Sequence, residues 1–120
     1  MKANAIQDKS KNFAIRIIKC YKFLTEQKHE MIISKQLLRS GTSIGANVRE
    51  SRNAQSRSDF LNKLNIALKE AGETDYWLDI IHSAEYFTDE EFKSLKSDND
   101  ELLRLLTSII KTTKSNETEK

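Results

Sequence analysis

FTDEEFKSLKSDNDELLRLLTSII, residues 87–110, begins with a helix start and continues with a helix's apolar spacing. Thr88-Asp89-Glu90-Glu91 has the form of a capping box. In that motif the Thr88 hydroxyl and the Glu91 carboxylate each accept from a backbone N–H that the first turn leaves open. Phe87 before the cap and Phe92 after it match a hydrophobic staple. Leu95, Leu102, Leu103, Leu106, Ile109 and Ile110 then recur at three- and four-residue spacing, a helical period and not a strand's alternation. The spacing predicts a helix over 88–112, followed by a flexible polar tail over 113–120.

The same period runs upstream. Ser58 and Asp59 read as a cap with an acid in the first turn, opening a helix over 58–83 that buries Phe60, Leu64, Ala67, Ala71 and Leu78. Before it, Ile33, Leu37, Ile44 and Val48 mark a helix over 31–54. That pattern keeps phase across Gly41 and Gly45, although each glycine costs about 1 kcal/mol against alanine in a helix. Phe13, Ala14, Ile17, Ile18, Tyr21 and Leu24 mark the first helix, over 10–27, and Gln27-Lys28-His29-Glu30 is a short connection. Short connections make successive helices antiparallel, so the expected fold is all-α: an antiparallel up-down-up-down four-helix bundle in one domain, 1–120. Composition agrees. The 120 residues include no proline and three glycines, too few for a turn-rich fold, and 32% are charged, as solvated outer faces require.

Several function classes drop out. No apolar run reaches the length of a membrane span, and Met1 to Lys11 is polar with no apolar signal core. A single cysteine, Cys20, cannot form an internal disulfide, so a reducing cytoplasm is expected and Cys20 reads as a small packing residue. A bundle core can hold two metals when four helices supply carboxylates together with two carboxylate-x-x-His pairs. Asp79-Ile80-Ile81-His82 has that spacing once, and the only other histidine, His29, falls in a connection. No metal, cofactor or small-molecule substrate is expected. Without a glycine-rich phosphate loop, nucleophile elbow or Cys/His dyad, neither is catalysis.

The charge is divided along the chain. Residues 1–57 carry 12 Lys/Arg and 4 Asp/Glu, a net of +8; residues 58–120 carry 8 and 14, a net of −6; together they make +2. On the second helix Lys35, Arg39, Arg49 and Arg57 fall within about an 80° arc opposite the apolar stripe. Two readings are open there: phosphate contacts, with Arg52 completing the set, or a solvated face answered by the acidic helices. On the third helix Ile66, Trp77 and Ile80 fall off the core stripe, which suggests contact between subunits, against the alternative of a wide core face. The two charge signs also suit a head-to-tail ring. Ser40 to Asn47 is a run of small residues around Gly41 and Gly45, read first as close helix packing and second as a ligand site. Asn47 and Glu50 are the polar residues there with most scope for a specific contact.

Leu37-Leu38-Arg39-Ser40-Gly41-Thr42-Ser43-Ile44-Gly45-Ala46-Asn47-Val48-Arg49-Glu50-Ser51, with Asp59 to Ala71 and Glu73-Thr74-Asp75-Tyr76-Trp77-Leu78, resembles the hallmark of the 23S rRNA intervening-sequence protein family. The resemblance covers nearly all of the chain after Lys9. It implies a bacterial four helix bundle protein, sometimes labelled a ribosomal protein, with no accepted enzymatic activity and commonly assembled as a five-fold ring, a pentamer. A related member, the accessory variability determinant of diversity-generating retroelements, binds nucleic acid through a basic surface. The expectation is therefore a non-catalytic, RNA- or ribonucleoprotein-associated homo-oligomer using Lys35, Arg39, Arg49, Arg52 and Arg57. The alternative is a protein-protein adaptor ring joined through Ile66, Trp77 and Ile80.

Overall fold

In the computed structural model, which describes residues 2–118, the periodicity resolves into four helices: α1 (Lys2–Glu26), α2 (Ile33–Ser51), α3 (Arg57–Ser83) and α4 (Asp89–Thr118). Each packs against the next, and α4 closes the square against α1 along the thinnest of the four seams. The fold is an all-α four-helix bundle, 53 Å long and 20–23 Å across. Its core is one cluster in which Phe13, Ile17, Leu24, Leu37, Ile44, Leu64, Leu78, Leu102 and Leu106 are almost fully excluded from solvent.

Both outer helices run longer than their spacing predicts. α1 begins at Lys2 and not at Ser10, because Ile6 and Ser10 extend the buried row of Phe13 and Ile17 by two turns. α4 continues through 113–118, where a flexible tail was expected; residues 119 and 120 lie outside the described residues. Ile18, placed in the core from its spacing, points outward at 45% exposure, whereas Leu61 and Ile81 join the core of α3.

The helix ends show local chemistry at work. At α4 the Glu91 N–H donates to Thr88 Oγ1 at 3.1 Å, and the Thr88 N–H donates to Glu91 Oε1 at 2.8 Å. Buried Phe87 and half-buried Phe92 lie on either side. At α3 the cap is Ser56 and not Ser58: its hydroxyl accepts from the Asp59 N–H at 3.0 Å. α3 ends in a Schellman turn, with Tyr86 N–H donating to Ile81 O and Glu85 N–H to His82 O. Glu85 occupies the left-handed position, at φ 70°, where glycine is usual.

α2 is capped by a residue that the sequence reading leaves in a connection. Glu30 Oε1 accepts from the Ile32 and Ile33 N–H groups, and Oε2 accepts from Ser34 N–H at 2.6 Å. The Ser34 hydroxyl donates back to the Glu30 carbonyl. Burial pushes the Glu30 carboxyl upward, but the backbone N–H groups of Ile33, Ser34 and Ile32 outweigh it and hold the pKa below its ordinary value. A depressed folded-state pKa contributes stability above the unfolded value, near 4.3, and that contribution disappears as pH falls through the folded value. Glu30→Gln should therefore lower unfolding free energy by about 1–2 kcal/mol at pH 7. In denaturant titrations the gap from the native chain should narrow below about pH 4.

The glycines divide by what surrounds them. A Cβ on Gly41 would lie 2.8 Å and 2.9 Å from the two γ carbons of Ile17, a β-branched and fully buried side chain with little freedom to move. On Gly45 it would lie 3.2 Å from the Ser10 carbonyl oxygen, on the backbone of α1. Gly72 meets nothing within 4 Å. Gly72→Ala should raise stability by about 0.5–1 kcal/mol through helix propensity alone. Gly41→Ala should lower it by about 1–3 kcal/mol through overpacking, despite the same propensity gain. Equal thermal shifts for the two variants would show that α1 and α2 are not in this close contact.

Candidate nucleic-acid interface

Chain order places the basic helices side by side, so each seam has its own charge character. Across α1–α4, Lys9 pairs with Glu101 at 3.2 Å, and Arg16 pairs with Asp98 at 2.7 Å while also donating to Ser94. Across α2–α3, Arg39 reaches Glu70 at 3.2 Å and also pairs with Glu73, while Lys63 reaches Glu50 at 3.6 Å. Across α3–α4, Lys96 bonds Asp75 at 2.9 Å, which holds the ammonium pKa above its ordinary value. No ion pair crosses α1–α2 among the described residues.

At that unanswered seam lies a groove of about 430 Å³. Ala14 from α1 and Gly45 and Ala46 from α2 give it a shallow floor, because small side chains leave the space between two closely packed helices open. Lys11, Arg49 and Arg52 line it. All three are exposed and make no side-chain hydrogen bond or ion pair among the described residues. Among the described residues Asp8 is the one acid in the lining, so their charges give the groove a local excess of two positive charges, three less one.

The expected phosphate set therefore separates. Arg49 and Arg52 meet in the groove. Arg39 is committed to two carboxylates of α3, the solvated-face alternative realised at one residue. Lys35 is exposed near the start of α2, about 15 Å along the axis from Gly45. Arg57 belongs to α3 and is half-buried, so its place in the helix-2 arc is lost when α2 ends at Ser51. Lys11 was not among the expected residues. It falls inside the first helix predicted over 10–27, but its place beside Arg49 follows only from the close α1–α2 contact, which spacing along one helix does not carry.

The remaining candidates take structural places. Gly41 and Gly45 bring α1 and α2 together, as the small-residue run suggested. Asn47 donates to Ser43 O within its own helix at 2.9 Å, and Glu50 faces Lys63. Trp77 is half-buried against the core with its indole nitrogen enclosed, so it is not the outward-projecting ring expected from its spacing. Tyr76 projects in its place, 55% exposed and edge-on to Trp77 with ring centroids 5.0 Å apart. Ile66 is exposed and Ile80 half-buried.

The groups with most chemical scope are also occupied. Burial pushes the Cys20 thiol up to about 12, with Glu91 adding to the shift and Arg16 opposing it, so at neutral pH the sulfur stays protonated and is a poor nucleophile. His82 Nε2 lies 2.7 Å from Asp89 Oδ1, and its ring stacks on Phe92 at 4.1 Å, joining the end of α3 to the start of α4. Among the described residues, no three His, Cys, Asp or Glu side chains gather in a way that could hold a metal ion. None of the described helices is long and apolar enough to cross a membrane.

Comparison with known proteins agrees with the fold. A solved protein of unknown function from Bacteroides thetaiotaomicron, assigned to the S23 ribosomal protein family, superposes with a TM-score of 0.92 at 58% identity, covering 92% of this chain and 99% of its own. Among proteins with curated functions none matches. Neither the solved relative nor the family match names a catalytic activity. The family described as 23S rRNA-intervening sequence protein matches residues 2–108, and the chain belongs to that family.

Proposed function

We propose that the protein is a non-catalytic RNA-binding protein that grips backbone phosphates in the α1–α2 groove, acting as a homo-oligomer in the cytoplasm. The observation that carries this reading is the trio Lys11, Arg49 and Arg52, without carboxylate partners among the described residues where two basic helices meet. Guanidinium groups suit phosphate because their planar fork donates two parallel hydrogen bonds. Arg49 in the last turn of α2 and Arg52, its C-cap, stand about one turn apart, close enough to address neighbouring phosphates. The names of the family and of its solved relative, which refer to ribosomal RNA and to ribosomal protein, point the same way.

A second reading is an adaptor ring held by apolar contacts. It is favoured by Ile66 and Tyr76, exposed together on α3, and by Ile15 and Ile18 on α1, at 43% and 45% exposure. Ile66 and Tyr76 stand on α3, away from the groove cations, whereas Ile15 and Ile18 follow Lys11 by four and seven residues on the same face of α1.

The experiment is fluorescence anisotropy with the full chain and a labelled RNA at 50 and 200 mM salt. Three phosphate contacts imply a slope of about −2.7 in log K against log salt, hence a loss of about 40-fold between those concentrations. Arg49→Ala and Arg52→Ala should each flatten the slope by about one and weaken binding uniformly across sequences. Arg39→Ala should leave the slope nearly unchanged, because Glu70 and Glu73 already neutralise that arginine. Binding that is absent or indifferent to salt would refute the proposal.

A further inference from the structure

Resting on the RNA-binding reading, we infer that the groove takes the backbone of double-helical RNA, without regard to sequence, in preference to single strands. Single-strand sites combine cations with aromatic faces on which bases stack, and each stacked base is worth on the order of five- to hundredfold in affinity. Among the described residues no aromatic side chain lines this groove; its walls are cationic and polar and its floor is alanine and glycine. The most exposed aromatic residue, Tyr76, stands on α3 in the acidic half of the chain with its ring against Trp77. An unpaired strand laid along Lys11, Arg49 and Arg52 would find phosphate contacts and nothing for its bases.

The groove is also built almost wholly on helices. Its walls are α1 and α2, brought close by the Gly45–Ser10 and Gly41–Ile17 approaches, and of its described lining residues only Arg52, the C-cap of α2, lies outside them. A fixed pair of cationic rims matches phosphates already held in a regular array, while a flexible strand must be ordered to meet them. Charge density acts in the same direction. Each contact contributes about 0.9 to the salt slope on a duplex and about 0.7 on a single strand, so three contacts favour the duplex by about sixfold at 50 mM salt. One stacked base would cancel that margin, which makes the lack of a stacking face in the groove decide the preference.

The test compares three probes against the full chain at 50 mM salt: a 20-base-pair RNA duplex, a second duplex of shuffled sequence, and an unstructured single strand of the same length. The two duplexes should bind within about twofold of each other, and the single strand about sixfold more weakly. Arg49→Ala combined with Arg52→Ala should shrink the difference between duplex and strand to about twofold, the margin of the one contact left at Lys11. Equal or tighter binding of the single strand, or a tenfold difference between the duplexes, would overturn the inference while leaving RNA binding intact. Failure of all three probes to bind would overturn both.

Discussion

The close approach of α1 and α2 at Gly41 and Gly45 is the constraint on which the bundle's shape and its surface both depend. A helix interior normally disfavours glycine by about 1 kcal/mol, and two of them in one turn weaken α2 considerably on its own. Packing offsets this. With no Cβ at either position, Ile17 and the Ser10 backbone can lie directly against α2, and dispersion contacts form that any side chain would hold apart. The same approach leaves the outer rows of the two helices facing one another across a shallow floor. The core contact and the surface groove are two sides of one seam.

Polar contacts inside the bundle then limit how the helices can slide. The Ser40 and Thr74 hydroxyls lie 2.9 Å apart in the buried interface of α2 and α3, and buried Asn99 donates to the Ala71 carbonyl at 2.9 Å across α3 and α4. An apolar stripe tolerates a one-turn slip, because leucine packs against leucine in either register. A buried amide does not, because the slip would leave its donor unpaired in a low-dielectric interior. Ion pairs along the outer seams reinforce that register, although each exposed pair contributes little by itself.

Legibility followed the range of the interactions. The capping box at Thr88 and the staple of Phe87 and Phe92 involve residues within a few positions of one another, so sequence spacing carries nearly all their information. The number, order and packing of the helices follow from periodicity and short connections. Ser56, which caps α3 in place of Ser58, shows the usual ambiguity between serines two residues apart, since either fits the pattern. Glu30 is harder to see, because a glutamate two residues ahead of the cap position belongs to no common signature. What could not be read was partnership between distant residues. Arg39 looks like a free cation until α3 brings Glu70 and Glu73 beside it, 31 and 34 positions along the chain. Trp77 looks outward until the width of the core face is known.

A net charge of only +2 is a weak basis for holding a polyanion when charge is totalled over the chain, but total charge is the wrong measure for a bundle of this shape. Interactions between exposed charges are screened beyond about 8 Å at physiological ionic strength, and the bundle is 20–23 Å across. Many acids of α3 and α4 are thus electrically remote from the α1–α2 groove. Others are engaged with Lys9, Arg16, Arg39 and Lys96 at the other seams. Among the described residues, the groove's own lining carries Lys11, Arg49, Arg52 and one opposing carboxylate, Asp8, while Glu50 beside Arg49 is turned to Lys63. Chain order produces this. Because the two basic helices are consecutive, up-down-up-down packing makes them neighbours and leaves one seam that no ion pair crosses among the described residues. Exchanging the order of α2 and α3 would alternate the charges around the square, and the same composition would present no such face.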